Sequence, residues 1–282
     1  MVDTDKVKLA AVQMAPRLME PGQNLDYIAG AVEVAAASRA DLIVFPECSL
    51  TGYIFNSRAE AMSVAETLPG PSTERLIPIC RERGVYVVFG LLEKEGDRVF
   101  NAAALVGPQG FMARYRKTHL PFLGVDRFVD KGDGPFEVHR TPVGNIGIYI
   151  CYDVVFPESS RVMTLMGADI LALPTNFPQV RRETLSTYIV SARAIENKVH
   201  VVAADRIGSE RGYTYAGLSK IVSATGKTLG LASTDKEEII YGEVSLGAAR
   251  NKHFTIIPGE YEVDYIADRR PELYGLITGP DG

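Results

Sequence analysis

The sequence predicts an α/β protein built of packed layers. Three observations lead there: short runs rich in Val, Ile and Leu alternate with helical stretches, the runs end in polar loops, and one strand-like pattern occurs twice. The repeated pattern is Ala40-Asp-Leu-Ile-Val-Phe-Pro46 and Ala168-Asp-Ile-Leu-Ala-Leu-Pro174, in each case an Ala-Asp pair, four apolar residues and a proline after a helical stretch. Two readings are open. Either these are equivalent α-to-β passages whose strand ends carry functional residues, as in open α/β sheets, or a common pattern has recurred by chance.

Taken in order, residues 8–13 read as an opening strand. Residues 24–39 place Leu25, Ile28, Val32, Val34 and Ala35 close to helical spacing, with Asn24 as the N-cap. Residues 42–45 are unbroken apolar sequence and read as a strand buried on both faces. Strands at 85–89, 101–106 and 111–115 are separated by the turn signals Glu95-Gly-Asp and Gly107-Pro-Gln-Gly110, which predicts a meander. A helix from about 181 to 197 leads into a strand at His200–Ala204, and further strands run to about Val244. With no linker or composition shift, the chain reads as one domain over residues 1–282, with an irregular tail from about His253.

Composition narrows the functional classes. The chain has 282 residues, 46% of them hydrophobic, which is enough to bury a large core. Its 30 basic and 35 acidic residues leave a formal charge of -5, with no basic surplus to track phosphates, so nucleic acid is not an expected partner. Met1-Val-Asp-Thr-Asp-Lys is too charged for a signal segment, and no apolar run approaches the ~20 residues that span a bilayer, so a cytoplasmic protein without membrane contact is expected. The three cysteines, Cys48, Cys80 and Cys151, are odd in number and widely spaced, which suits reduced thiols better than a disulfide framework.

Three strand-end segments carry reactive residue types. In Phe45-Pro-Glu47-Cys-Ser-Leu-Thr-Gly-Tyr53, a glutamate at the mouth of a buried strand is partly desolvated and suits a general base, although such a residue alone is also an ordinary loop carboxylate. Lys117 follows the strand at 111–115 and by itself reads equally as a solvated charge. Cys151 ends an apolar strand just before a helix that Pro157 can open. Backbone N–H groups at such a turn lower a thiol pKa and can hold an oxyanion. The competing reading is a core cysteine packed as a small hydrophobe, which fits Cys80 in its helical stretch well.

Together these segments resemble the nitrilase superfamily of carbon–nitrogen hydrolases over essentially the whole chain. The motifs that carry the resemblance are Phe-Pro-Glu47 with Thr-Gly-Tyr53, Tyr-Arg-Lys117-Thr-His-Leu, Cys151-Tyr-Asp-Val-Val-Phe-Pro-Glu158-Ser-Ser-Arg161, Pro174-Thr-Asn176 and Ser191-Ala-Arg193-Ala-Ile-Glu196-Asn197. The resemblance implies a four-layer α-β-β-α sandwich that dimerises, or assembles further, through helices. It also implies a catalytic triad in which Glu47 is the general base and acid, Lys117 stabilises the oxyanion and Cys151 is the nucleophile. The family often carries a second active-site glutamate shortly after the lysine; here Asp126 is the nearest candidate for an auxiliary role.

The expected function is hydrolysis of a small-molecule amide to a carboxylate and ammonia or an amine through a cysteine thioester. The backbone N–H near Tyr152 would complete the oxyanion site, and Tyr53, Asn176 and Phe177 would line the substrate pocket. Four histidines, His119, His139, His200 and His253, pair with no cysteine and form no metal motif, so neither a metal nor an organic cofactor is expected. His119 reads as a structural residue orienting the loop beside Lys117, and Glu158 and Arg161 as a helical ion pair. Family members that act on nitriles typically resemble Cys-Trp-Glu at the nucleophile, whereas this chain reads Cys151-Tyr152-Asp153 and has no tryptophan, which favours amides. Alternatives are a nitrilase, an N-carbamoyl amine hydrolase, an acyl transferase using the same thioester, and a catalytically silent scaffold or regulatory subunit.

Overall fold

Pairing of the apolar runs builds two six-stranded sheets in a computed structural model that describes residues 5–278; the remaining residues of the charged N-terminal stretch and of the tail lie outside the described residues. The first sheet takes β1 (Lys6–Gln13), β2 (Leu42–Val44), β3 (Tyr86–Glu95), β4 (Arg98–Gly107) and β5 (Gly110–Arg116). The second takes β6 (Val138–Thr141), β7 (Gly144–Ile148), β8 (Ile170–Pro174) and β9 (His200–Ala204). A ribbon of β10 (Ser209–Glu210) and β11 (Tyr213–Thr214) precedes β12 (Lys220–Val222) and β13 (Thr228–Leu231), which extend the second sheet, while β14 (Glu238–Ser245) returns to the first. The strand orders are β14-β1-β2-β3-β4-β5 and β13-β12-β9-β8-β7-β6.

The twice-occurring Ala-Asp pattern has a structural cause. β1, β2 and β3 run parallel, as do β7, β8 and β9, so β2 and β8 hold equivalent central places. At the start of β2, Asp41 accepts the Lys8 N–H at 2.7 Å and donates its own N–H to the Lys8 carbonyl at 2.8 Å. Asp169, at the start of β8, makes the same pair of bonds with Asn145, both at 2.9 Å. In each sheet one aspartate therefore pins the register of two parallel strands. The repeat marks two equivalent α-to-β passages whose far ends deliver Glu47 and Asn176.

Period-two alternation sorts the strand residues between layers. Leu9, Ala11, Val44, Val88 and Leu105 face the second sheet and share a core with Ile148, Leu171 and Val202. The opposite face, with Ala10, Val12, Ile43, Phe45, Val87 and Phe89, lies under α1 (Pro21–Ala37) and, beyond the short α2 (Arg58–Val64), α3 (Pro71–Arg83). These helices bury Ile28, Val32 and Ala35, and Leu76, Ile79 and Cys80. Outside the second sheet, α4 (Pro157–Leu165) and α5 (Val190–Asn197) contribute Met163, Val190 and Ala194. The result is the α-β-β-α order. No helix among the described residues is long and apolar enough to cross a membrane. On the outer side of α4, Val162 and Leu165 are exposed beside a groove of about 490 Å³ that Arg161, Glu196, Tyr274 and Ile277 also line.

Four local expectations are corrected. The first helix starts at Pro21, whose fixed φ suits the first helical position, so Asn24 is not the N-cap. Asn24 instead lies buried inside the helix and joins two loops, accepting the Arg17 N–H at 2.8 Å and donating to the Leu50 carbonyl at 2.9 Å. The helix expected at 181–197 is divided, with a π-helical stretch at Glu183–Ile189 before α5. After the short α6 (Leu246–Arg250), the tail is not irregular throughout, since β15 (His253–Ile257) pairs antiparallel with β16 (Tyr261–Asp264). Glu158 and Arg161 do not pair; the guanidinium donates to the Glu196 carbonyl at 2.8 Å.

Candidate active site

Loops at the strand ends bring the sequence-derived residues together at one end of the inter-sheet core. Glu47 sits in the turn after β2, which folds closely over β3 because Gly90 leaves room: a Cβ there would lie 2.4 Å from the Cys48 nitrogen and 2.7 Å from the Glu47 Cα. Lys117 is the first residue beyond β5, with its N–H donating to the Asn101 carbonyl at 2.8 Å. Asp126 lies in a short 3₁₀ turn, Gly124–Arg127. Gly124 permits this turn through a φ of +51° and through its missing Cβ, which would meet the Tyr53 ring at 2.4 Å.

Lys117 stands between the two carboxylates. Its Nζ donates to Glu47 Oε1 at 2.6 Å and to Asp126 Oδ2 at 2.5 Å, and the three side chains have no solvent exposure. Asn101 Nδ2 donates to Glu47 Oε1 at 2.7 Å and to Asp126 Oδ1 at 2.8 Å, and the Tyr53 hydroxyl donates to Asp126 Oδ2 at 2.8 Å. Both oxygens of Asp126 are thus occupied, while Glu47 Oε2 has no partner among the described residues. An ammonium has three N–H groups, so one on Lys117 is left for a ligand.

Electrostatics follow from this packing. Burial pushes the Glu47 carboxyl above its ordinary range, opposed by Lys117 and reinforced by Asp126. For Lys117 burial disfavours the charge, but Asp126 and Glu47 outweigh it and hold the ammonium firmly protonated.

Cys151 follows β7 at the start of a 3₁₀ turn, Cys151–Val155, which separates it from the Pro157 that opens α4. The helix expected directly behind the cysteine is therefore displaced by one short turn. The cysteine has a φ of +46°, a left-handed conformation that is unfavourable for a residue with a Cβ and marks a strained elbow. Thr175 and Asn176, just past β8, lie near its thiol. The expectation of a lowered thiol pKa is overturned. Burial first, then the Glu47 carboxylate, push it well above the usual thiol range against the pull of Lys117.

The residues around this core divide into supports and open groups. Asp153 is buried and accepts from Tyr115 Oη at 2.7 Å, the Ile150 N–H at 2.9 Å and the His119 N–H at 3.0 Å, with His119 Nδ1 at 2.7 Å. It therefore fastens the lysine loop to the cysteine turn, and His119, stacked 3.9 Å from the Phe156 ring, holds the orienting place expected of it. Tyr152 is the second residue of the 3₁₀ turn that Cys151 opens, so its N–H lies in the first turn beside the thiol. Asn176 is buried with both amide atoms unpartnered, whereas Phe177 packs within the inter-sheet core. Tyr53 is buried behind Lys117, its ring 5.8 Å from Nζ. Cys80 lies in the α1–α3 layer, its thiol pushed up to about 12 by burial, and Cys48 is buried against Asn101.

Two supports escape sequence reasoning. Asn101 looks like the polar head of an apolar strand, and only its neighbours across the fold reveal its contacts. Glu210 accepts the Tyr53 and Ile54 N–H groups at 2.9 and 2.6 Å and pairs with Arg206 at 2.9 Å, so a β-ribbon residue fixes the Tyr53 loop.

Comparison with known proteins establishes the family. The carbon-nitrogen hydrolase family model matches residues 8–253. The chain is 40% identical to a nitrilase of Pyrococcus abyssi over 95% of this chain and 99% of the relative, and 34% identical to an (R)-stereoselective amidase of a Pseudomonas species over 98% and 96%. A structure of a mutant amidase from Nesterenkonia sp. AN1, showing Michael addition of acrylamide at its active-site cysteine, superposes with a TM-score of 0.77 at 25% identity, covering 95% of this chain and 98% of that one. By family match, by identity over nearly its whole length and by architecture, the chain belongs to the carbon–nitrogen hydrolases of the nitrilase superfamily.

Proposed function

We propose that this carbon–nitrogen hydrolase is an amidase using Glu47, Lys117 and Cys151, and the observation that carries this reading is the open carboxylate oxygen, Glu47 Oε2, in the buried Glu47–Lys117–Asp126 cluster near the strained cysteine. Amide carbonyls are weak electrophiles, and the leaving nitrogen departs only when protonated. Glu47 Oε2 takes the thiol proton as Sγ attacks the carbonyl carbon. The oxyanion is met by the third Lys117 N–H and the Tyr152 N–H. The proton then passes from Glu47 to nitrogen, the C–N bond breaks, and ammonia or an amine leaves a thioester. Water attacks the thioester, giving its proton to Glu47, which returns it to sulfur as the carboxylic acid departs.

A thiol held protonated by burial suits this scheme, since Glu47 removes the proton during attack and no thiolate need be stored. Asp126, with a donor on each oxygen, keeps Lys117 charged and aimed. Asp126→Asn should lower kcat/KM at least tenfold, about 1.4 kcal/mol. Wild-type kinetics in that variant would remove Asp126 from the reaction.

A second reading rests on the Pyrococcus abyssi relative, which is named a nitrilase. A linear nitrile takes up the thiol to give a planar thioimidate protonated at nitrogen, a geometry unlike the tetrahedral amide adduct, and one pocket seldom serves both well. Ammonia release from propionamide and longer amides should exceed that from the matching nitriles at equal concentration. Equal or faster release from nitriles would replace the amidase reading with the nitrilase one and leave the fold untouched.

A further inference from the structure

Glu47 is held asymmetrically, and one side chain outside the triad is responsible for much of that. Asn101 lies on β4 and shares with Ala103 and Leu105 the face turned to the second sheet. It is fully buried, and its amide nitrogen has only two hydrogens. One goes to Glu47 Oε1 at 2.7 Å, the other to Asp126 Oδ1 at 2.8 Å. Its side-chain carbonyl accepts from the Cys48 thiol at 3.5 Å, and its backbone carbonyl accepts the Lys117 N–H. A single residue thus touches both carboxylates and the segment that carries the ammonium.

We infer that Asn101 is a positioning residue which, together with Lys117, occupies Glu47 Oε1 so that Oε2 alone exchanges protons with the thiol and the leaving nitrogen. The reasoning is a count of donors. Glu47 Oε1 receives two charge-assisted or amide hydrogen bonds and Oε2 receives none, so the open oxygen is the more basic one and the only one free to move a proton. Without the amide, Oε1 loses one of its two donors, and the carboxyl can rotate about its terminal torsion, which is broad. Asp126 simultaneously loses its only bond on Oδ1 and with it the link that fixes its distance from Glu47. The same cut therefore disorders the base and the group that steers Lys117. This inference rests on the reading of Glu47 as general base.

The test compares Asn101→Ser and Asn101→Asp with the parent chain and with Glu47→Gln, following two pH profiles: kcat/KM for an amide, and alkylation of Cys151 by iodoacetamide, which needs no turnover. Serine has one hydroxyl hydrogen and can serve only one of the carboxylates. Aspartate keeps the shape but removes both N–H donors. Both variants should move the acid limb of each profile upward by about one pH unit or more, because a carboxylate with fewer donors takes a proton more readily. They should lower kcat by about tenfold or more, with KM changed by less than about threefold. A purely structural role would lower the melting temperature and the amplitude but leave the limbs in place, and limbs unmoved in folded variants would overturn the inference. Loss of fold in both variants would also overturn it, by showing the amide to be a structural element first. In Glu47→Gln the acid limb of alkylation should vanish. If it persists, Glu47 is not the base; if it vanishes while the Asn101 variants keep theirs, only the role of Asn101 is refuted.

Discussion

Replacing Cys151 by alanine should abolish turnover, lowering kcat by roughly 10⁴-fold or more, while the melting temperature shifts by no more than a few degrees. The side chain lost is small, and alanine meets the same left-handed backbone that cysteine already tolerates at a φ of +46°. The contrast with Cys80→Ala makes the result specific. That thiol is packed between α3 and the first sheet with no exposure, so its removal should cost about 1–2 kcal/mol of stability through a small cavity and leave kcat intact. Thermal melts and amide kinetics on the two variants check both halves. Substantial activity in Cys151→Ala would exclude it as the nucleophile.

The second large effect is expected at Lys117. Lys117→Gln removes the only cation that, among the described residues, is bonded to the Glu47 and Asp126 carboxylates, and it removes the ammonium N–H proposed for the oxyanion. Loss of one partner from a buried ion pair costs roughly 3–5 kcal/mol because the remaining charge is uncompensated. Part of that cost can be relieved here by protonation, since burial already pushes Glu47 upward. The variant should therefore melt at a lower temperature, increasingly so as rising pH drives the Glu47 carboxyl, left without its cation, to ionise. Its kcat should fall by at least 10²-fold, the scale of a lost oxyanion donor. Stopped-flow and steady-state kinetics can separate the steps, and a defect confined to KM would count against oxyanion stabilisation.

Much of this was legible in the residues. Apolar runs of four or five residues bounded by turn signals located the central strands, and Glu47, Lys117 and Cys151 stood out because each follows such a run. The Ala-Asp repeat contained more than its composition suggested: Asp41 and Asp169 perform the same register-pinning job in two different sheets. What escaped is non-local. Asn101 bonds Asp126, 25 residues away, and Glu210 bonds the Tyr53 N–H, 157 residues away, and no periodicity records such contacts. The thiol was misjudged for a related reason. A turn N–H lowers a thiol pKa, but the depth of burial and the nearness of Glu47 are properties of the whole fold, and here they win. Helix boundaries moved where proline or a π-helical stretch overrode simple spacing.

The thioester proposed on Cys151 is the step on which the rest depends, and it can be tested directly. The protein would be mixed with a slowly turned-over amide, quenched in acid during steady state, digested and examined by mass spectrometry. The acyl mass should appear on the peptide containing Cys151, vanish with Cys151→Ala, and accumulate in Glu47→Gln if any acylation persists there, because water then lacks its base. Acylation of Cys48 or Cys80, or rapid turnover with no acylated peptide under conditions that preserve thioesters, would contradict covalent catalysis by Cys151.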